Sequence, residues 1–340
     1  MAATIHDVAR EAGVSASTVS RVLNGSAPVN EEKRRRVLRA VEKLNYRPNA
    51  LARSLKKKRT HSIGLIVPDI TNPFFAEVAK GVEDVAREYG YTVILCNSEN
   101  DPARERTYLN VLQEKQVDGV IFVTAGANEG DRVGRLERGI PVVMLDREIP
   151  GIPADAVLVD NEEGAYEAAK HLLALGHRRI GIITGPLLLS TAEERLEGYK
   201  KAMREAGVPV KPRLVKDGGF TFQGGYAAMH QLLEGGNDLP SAVLASSDIM
   251  ALGAMKAAEE RGLRIPQDLA LVGFDDIMVA SLVKPALTTI AQPKRQMGQL
   301  AVEMIVERLE RGRRRAKRVL LRPKLVVRES CGSGRRSDGA

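Results

Sequence analysis

Aromatic pairs, carboxylates, arginines and amides recur just after short β-rich runs of this chain. Asn72, Phe74 and Phe75 follow SIGLIV, Thr124 closes GVIFVT, and Asp146 closes PVVMLD with Arg147 next to it. Arg195 lies beyond RIGIIT, and Phe220 precedes a helical run. Ser247 and Asp248 follow SAVLAS, Asp275 follows LALVGF, and Gln292 precedes the last long helix. Sugar rings pack on aromatic faces, and sugar hydroxyls need paired donors and acceptors, so this mixture suits a carbohydrate. Taken singly, loop Asp and Asn are ordinary turn residues or helix caps, and Asp160 and Asp248 are read as caps. The case for a site rests on convergence at the same ends of several strands.

Catalytic chemistry finds no comparable pattern. There is no GxxxxGK[ST], GxGxxG, HExxH or GxSxG, and the five histidines are scattered. His177 follows the helix-ending Gly176 and is read as a C-terminal cap donor. Asp275 and Asp276 are adjacent, so on a strand end they point to different faces and make a poor acid–base pair. The expectation is a binding protein and not an enzyme, with no cofactor and no metal site.

The elements that must position these residues alternate strand and helix from Ser62 onward. That alternation predicts parallel sheets covered by helices on both faces. There are too many units for one compact sheet, so two doubly wound subdomains are expected, with ligands beyond the carboxyl ends of their strands.

Residues before Ser62 have a different texture. Thr4 can cap a first helix with Asp7 as its reciprocal acid. Gly13 suits the positive φ of a helix end. Ser15 can cap a second helix, whose apolar face is Val19, Val22 and Leu23 and which Asn24-Gly25 stops. Two helices across a short glycine turn form a helix-turn-helix, whose second helix enters the DNA major groove. Asn30 caps a third helix with a Val37, Val41, Leu44 stripe, and Lys33 to Arg36 is read mainly as a solvated face. Charge supports this reading. Residues 1–60 hold 14 Lys and Arg against 5 Asp and Glu, a net +9, while the whole chain carries +8, so the remainder balances near neutrality. Positive charge confined to one module is the footprint of phosphate binding. Beyond Pro48, Asn49 can cap a short helix, ALARSLKKK, marginal on its own. Leu55 could wedge between base steps beside a phosphate-holding Lys56, or the segment could be a basic linker.

Cys96 is read as a small buried hydrophobe, and Cys331 sits in a Gly/Ser/Arg-rich tail. Neither implies a disulfide, so a reducing cytoplasm is expected. No signal segment and no 18-residue apolar run is seen, so neither secretion nor a membrane partner is expected. Arg311 to Arg318 is read as a solvated helix end and loop, and ESCGSGRRSDGA as disordered.

IHDVAREAGVSASTVSRVLNG and LNYRPNALARSLK resemble the DNA-binding head and hinge of the lactose-repressor (LacI/GalR) family. TNPFF, KQVDGVIF, GHRRIGIITGP, RLEGY, SSDIMALGAM, VGFDD and PALTTIAQP are similar to its periplasmic-binding-protein-like core. The resemblance runs from about Thr4 to Arg328. It implies a small all-α helix-turn-helix head over 1–48, a hinge helix and linker over 49–61, and an α/β core over 62–328. Within that core the N-subdomain is about 62–159 plus 291–318, the C-subdomain about 160–290 plus 319–328, and 329–340 is tail. It also implies a homodimer on palindromic double-stranded operator DNA. Base-reading positions fall on Ala16, Ser17 and Arg21, and an intercalating leucine on Leu55. The full DNA-facing set is Thr4, Ser15, Ala16, Ser17, Thr18, Ser20, Arg21, Asn24, Asn49, Ala52, Leu55 and Lys56. The effector set is Asn72, Phe74, Phe75, Thr124, Asp146, Arg147, Arg195, Phe220, Ser247, Asp275 and Gln292, similar to the ribose-binding branch. Thr124 and Ser247 depart from that branch, which has Asn at both, so another pentose or a hexose stays open. The implied function is repression of a sugar-utilisation operon, released by a small sugar. The alternatives are a corepressor, purine or phosphocarrier protein, or a transport protein for sugars.

Overall fold

The computed structural model describes residues 3–24, 27–46, 59–126, 133–134, 139–149, 151–234, 239–313 and 315–333. The chain divides into two units, Met1–Thr60 and His61–Ala340. Asn49, Ala52, Leu55 and Lys56, and with them the expected hinge helix, lie outside the described residues.

The first unit contains α1 (Ile5–Ala12), α2 (Ala16–Asn24) and α3 (Glu31–Lys43). The Asp7 carboxylate accepts the Thr4 N–H at 2.9 Å, while Asp7 N–H donates to the Thr4 hydroxyl at 3.4 Å, which completes a capping box. Gly13 ends α1 at φ 60°, a conformation that costs glycine little. Ser15 then caps α2 by accepting the Thr18 N–H at 3.2 Å. Val8, Ala9, Ala12, Val19, Val37 and Ala40 close one small core. Lys33 to Arg36 are exposed on the outer face of α3.

The second unit begins with β1 (Ser62–Val67), α4 (Pro73–Glu88), β2 (Thr92–Asn97), α5 (Pro102–Glu114), β3 (Gly119–Phe122), β4 (Val142–Leu145) and β5 (Asp155–Val159). It continues through α6 (Asn161–Ala174), β6 (Ile180–Thr184), α7 (Ser190–Glu205), β7 (Val215–Asp217), α8 (Phe222–Leu232), β8 (Ala242–Ala245), α9 (Asp248–Glu260), β9 (Ala270–Asp275) and β10 (Thr288–Ala291). It ends with α10 (Lys294–Arg311), β11 (Arg318–Leu321) and β12 (Lys324–Val326). One six-stranded sheet runs β11-β5-β4-β3-β1-β2 and the other β12-β10-β9-β8-β6-β7. All neighbours are parallel except β12, which is antiparallel to β10. Strands β3, β4, β5, β6, β8 and β9 are buried throughout, as sheets covered on both faces require. No helix among the described residues is long and apolar enough to cross a membrane.

The chain passes between the two sheets after β5, after β10 and after β11. The second passage returns α10 to α4, where Gly81 and Gly298 let the two backbones approach: a Cβ on either would collide with main-chain atoms of the other helix. Three sequence expectations need correction. Residues 318–321 belong to the N-terminal sheet, because β11 pairs with β5 from Arg318↔Ala156 to Leu321↔Val159. The C-subdomain therefore regains the chain only at β12, and not at 319. The expected tail begins too early, since Ser330 and Cys331 are buried. Ser330 donates its hydroxyl to Leu271 O at 2.6 Å and accepts the Thr288 N–H at 2.8 Å, which stitches this segment to β9 and β10. The run Arg311 to Arg318 is not simply solvated either. Arg313 joins Arg308 on the fully buried carboxylate of Asp155, at 2.7 and 2.9 Å. Cys96 is buried in an apolar cluster, as expected.

Candidate functional site

Parallel strands that share a sheet end at the same edge, so residues just past β8, β9 and β10 of one sheet meet although far apart in sequence, and the residues just past β4 of the other sheet reach the same cluster. Asp146 directly follows β4, with Arg147 beside it. Asp275 is the last residue of β9, and Gln292 directly follows β10. Arg195 reaches in from the second turn of α7. All five are at least 95 % buried.

Arg195 is the hub. Its Nε donates to Asn161 Oδ1 at 2.8 Å and its Nη1 to Ser246 O at 2.6 Å, and the same Nη1 lies 3.8 Å from Asp275 Oδ1. Its guanidinium sits 3.8 Å from the centre of the Phe274 ring. The Phe220 ring is 5.8 Å from the guanidinia of both Arg195 and Arg147, so an aromatic face of one subdomain meets an arginine of the other. Arg147 donates to Thr124 O at 2.9 Å, with its Nε 3.5 Å from Asp146 Oδ2. Gln292 Nε2 donates to Asp275 Oδ1 at 2.7 Å, and Lys294 Nζ donates to the main-chain oxygens of Asp275 and Asp276 at 2.7 and 2.6 Å.

Two physical signs set this cluster apart from ordinary packing. Asp146, Phe220, Asp275 and Asp276 all adopt positive φ, strain that side chains larger than glycine rarely carry and that gathers at functional sites. In addition Asp146 Oδ1, Arg147 Nε and Gln292 Oε1 are buried without a hydrogen-bond partner among the described residues, as are the hydroxyls of Thr191 and Ser246. Such groups are costly in a folded interior unless something completes them. Burial pushes the Asp275 carboxyl up to about 6, although Arg195 and Gln292 oppose it. Burial also raises Asp146, against the pull of Arg147 and Arg195.

The other residues of the expected effector set serve local structure. Asn72 caps α4 by accepting the Phe74 N–H at 3.0 Å. Phe74 and Phe75 stack edge to face at 4.9 Å within the main core. Thr124 spends its hydroxyl on its own loop, donating to Gly126 O at 2.7 Å. The cap expected at Asp248 is supplied instead by Ser247, which the sequence placed in the effector set. Ser247 is the N-cap of α9. Asp248 instead straps the core, accepting Thr289 Oγ1 at 2.6 Å and Ile277 N–H at 2.8 Å. Asp160 is indeed the cap of α6. The His177 ring pairs with the Ser241 hydroxyl at 3.0 Å, and it is the His177 main-chain N–H that caps the preceding helix at Leu172 O. Asp276 turns away from Asp275 to Arg328 at 2.6 Å, so the two aspartates do serve different faces.

Sequence reasoning missed Asn161, Ser246 and Lys294. Asn161 and Ser246 also stand just past strand ends, so the rule that selected the others would have selected them. Lys294 was hidden at a helix start, where a lysine reads as solvated.

In the head, Ser17 and Arg21 are exposed on α2, whereas Ala16 is half-buried against the head core. Ser15, Ser17 and Thr18 form a hydroxyl cluster at the start of α2, with oxygens 2.8 and 2.9 Å apart. Thr4 is engaged in the α1 capping box.

Comparison with known proteins gives this architecture its family. Residues 4–49 match the family model described as bacterial regulatory proteins, lacI family, and residues 169–331 match the periplasmic binding protein-like domain. The ribose operon repressor of Haemophilus influenzae is 42 % identical over 331 residues, covering 97 % of this chain and 99 % of that protein. The chain belongs to the lacI family. The HTH-type transcriptional repressor PurR of Photorhabdus laumondii is likewise 42 % identical, over 335 residues and 98 % of each chain. The crystal structure of the lac repressor dimer bound to operator and an anti-inducer superposes with a TM-score of 0.88 at 31 % identity, covering 97 % of this chain and 99 % of that one. Like other lacI-family members, the protein is a DNA-binding transcriptional regulator and not an enzyme.

Proposed function

We propose that this lacI-family regulator is a cytoplasmic repressor that binds a palindromic operator as a homodimer and is released by a small sugar. The observation that carries the effector half is the ring of unpartnered buried polar atoms on Asp146, Arg147 and Gln292 around Arg195, Asp275 and Phe220. Carboxylate, amide and guanidinium there offer acceptors and donors to vicinal hydroxyls, and Phe220 offers a ring face. The contact between Phe220 and Arg147 crosses from one subdomain to the other, while Arg195 shares the subdomain of Phe220, so a ligand among them biases how the subdomains close. Overall identity does not choose between sugar and purine, being 42 % to both the ribose operon repressor and PurR. The loop LLLSTAEER favours the sugar, because it lacks the arginine that a purine repressor carries before its threonine. A thermal-shift screen of monosaccharides with D-ribose first, followed by operator release with the hit, tests the assignment.

A homodimer has suitable faces on the second unit. Leu95 on β2, and Met278 and Leu282 after β9, are large exposed apolar side chains. Leu95 lines an apolar groove with Ala76, Ala79 and Tyr91, and Val279 and Val283, next in the chain to Met278 and Leu282, line another with Leu252 and Met255.

Binding should depend on pH through Asp275. Sugar hydroxyls donate to the ionised carboxylate, and burial lifts its pKa to about 6. Calorimetry from pH 8 to pH 5 is expected to show constant affinity above that value and a loss approaching tenfold per pH unit below it. Affinity that rises on acidification would contradict Asp275 as an acceptor.

On the DNA side, Arg21→Ala is expected to weaken operator binding by about 1–3 kcal/mol and to relax preference at one base pair per half-site. Intact preference in a competition assay at fixed salt would remove Arg21 from the reading set.

A further inference from the structure

Beside the Arg195 cluster lies a side cavity of about 160 Å³. Asp146 and Glu148 line it from the loop after β4, Asp160 and Glu162 from the start of α6, Glu194 from α7 and Arg318 from β11. Whole-ligand pockets measure about 300–1,000 Å³, so this one accepts a substituent and not a ring. Five carboxylates face one arginine, and that arginine is engaged with Glu148 at 3.1 Å. Glu162 pairs with Lys201 at 3.5 Å, and Asp160 caps α6. Two acceptors remain. Glu194 takes a hydrogen bond at 2.9 Å from the neutral amide of Asn161, with no cation in ion-pair distance among the described residues. Asp146, 95 % buried, is among the residues that line the cavity; its Oδ2 lies 3.5 Å from Arg147 Nε and its Oδ1 has no hydrogen-bond partner among the described residues. Burial raises the Glu194 carboxyl, with the Asp146 and Glu148 charges adding to it, while the Asn161 amide and the Arg195 charge oppose it.

Accepting the sugar reading of the cleft, we infer that the effector carries a protonated amine, which occupies this cavity and donates to Asp146 Oδ1 and to Glu194. An ammonium supplies three donors, and charge-assisted bonds to carboxylates are the stronger kind. Among the described residues no group of three or more His, Cys, Asp or Glu is placed to hold a metal ion.

The test pairs neutral monosaccharides with their amino-deoxy counterparts, glucose with glucosamine and galactose with galactosamine among them. Binding is measured by calorimetry at pH 7 on the full-length protein. At least one amino sugar should bind tenfold or more tighter than its parent, and Glu194→Gln should erase that preference while thermal melting shows the variant folded. A parent that binds as tightly as every amino counterpart overturns the inference and leaves the sugar reading standing. A preference that survives both Glu194→Gln and Asp146→Asn also overturns it. Binding by neither class overturns the sugar reading together with it. Should Glu194→Gln fail to fold, the paired comparison on the unaltered protein decides alone.

Discussion

Replacing Arg195 by alanine is expected to destabilise the second unit by about 3–5 kcal/mol and to abolish any response to ligand. The change strips Asn161 Oδ1 and Ser246 O of their donors and leaves Asp275 buried without its cation. It also removes the plate that covers the Phe274 ring. The loss should depend on pH. Asp275 is already pushed up to about 6 by burial, and Arg195 is the largest influence holding it down. Without Arg195 the carboxyl takes up a proton at still higher pH. The cost of the substitution is then full above neutrality and smaller at pH 5, where Asp275 is neutral in either protein. Urea unfolding of the full chain at pH 5 and pH 7.5, followed by circular dichroism, checks both size and sign. A cost below 1 kcal/mol, or one larger at pH 5, would show that Arg195 does not organise the site.

A comparable loss, about 3–5 kcal/mol, is expected for Asp155→Ala, far from the cleft network. Asp155 is fully buried at the start of β5, accepting bonds from Arg308 and Arg313 and from the Lys317 N–H at 2.7 Å. One carboxylate thereby fixes the end of α10 and the approach to β11. Burial alone would raise its pKa, but Arg313, the Lys317 amide and Arg308 outweigh that and hold it below the usual carboxylate range. A group depressed in the folded state stabilises above its unfolded pKa, near 3.9, and loses that contribution as pH falls through the folded value. The gap between wild type and Asp155→Ala should therefore be full at pH 7 and shrink below about pH 4. Equal unfolding midpoints at pH 7 would refute the clamp.

Local chemistry was the part of this protein legible in its sequence. Thr4 with Asp7, Gly13 and Asn30 act within four residues of themselves, so their capping roles could be read directly. That Asp275 and Gln292 meet was legible for a different reason: parallel neighbours in one sheet end at one edge whatever their separation, whereas Asp146 and Arg147 come from the other sheet. Roles that hinge on one residue of phase were not. Moving the α9 cap from Asp248 to Ser247 turns each side chain by about 100° around the helix, which sends Asp248 into the core. Contacts between distant segments were hidden as well. Ser330 meets Leu271 across 59 residues, and Arg313 meets Asp155 across 158, and composition sees neither. A paired aromatic motif after a strand suits a ligand stack and an apolar core equally well, and Phe74 and Phe75 stack edge to face within the main core.

A small sugar bound in the Arg195 cleft is expected to lower the affinity of this regulator for its operator. Fluorescence anisotropy of a labelled palindromic operator bound to the full-length protein, titrated with the sugar found by thermal shift at fixed salt, tests it most directly. A saturable fall in anisotropy is expected with wild-type protein and none with Arg195→Ala. Operator binding that every sugar leaves unchanged, or that a purine base strengthens, would contradict it.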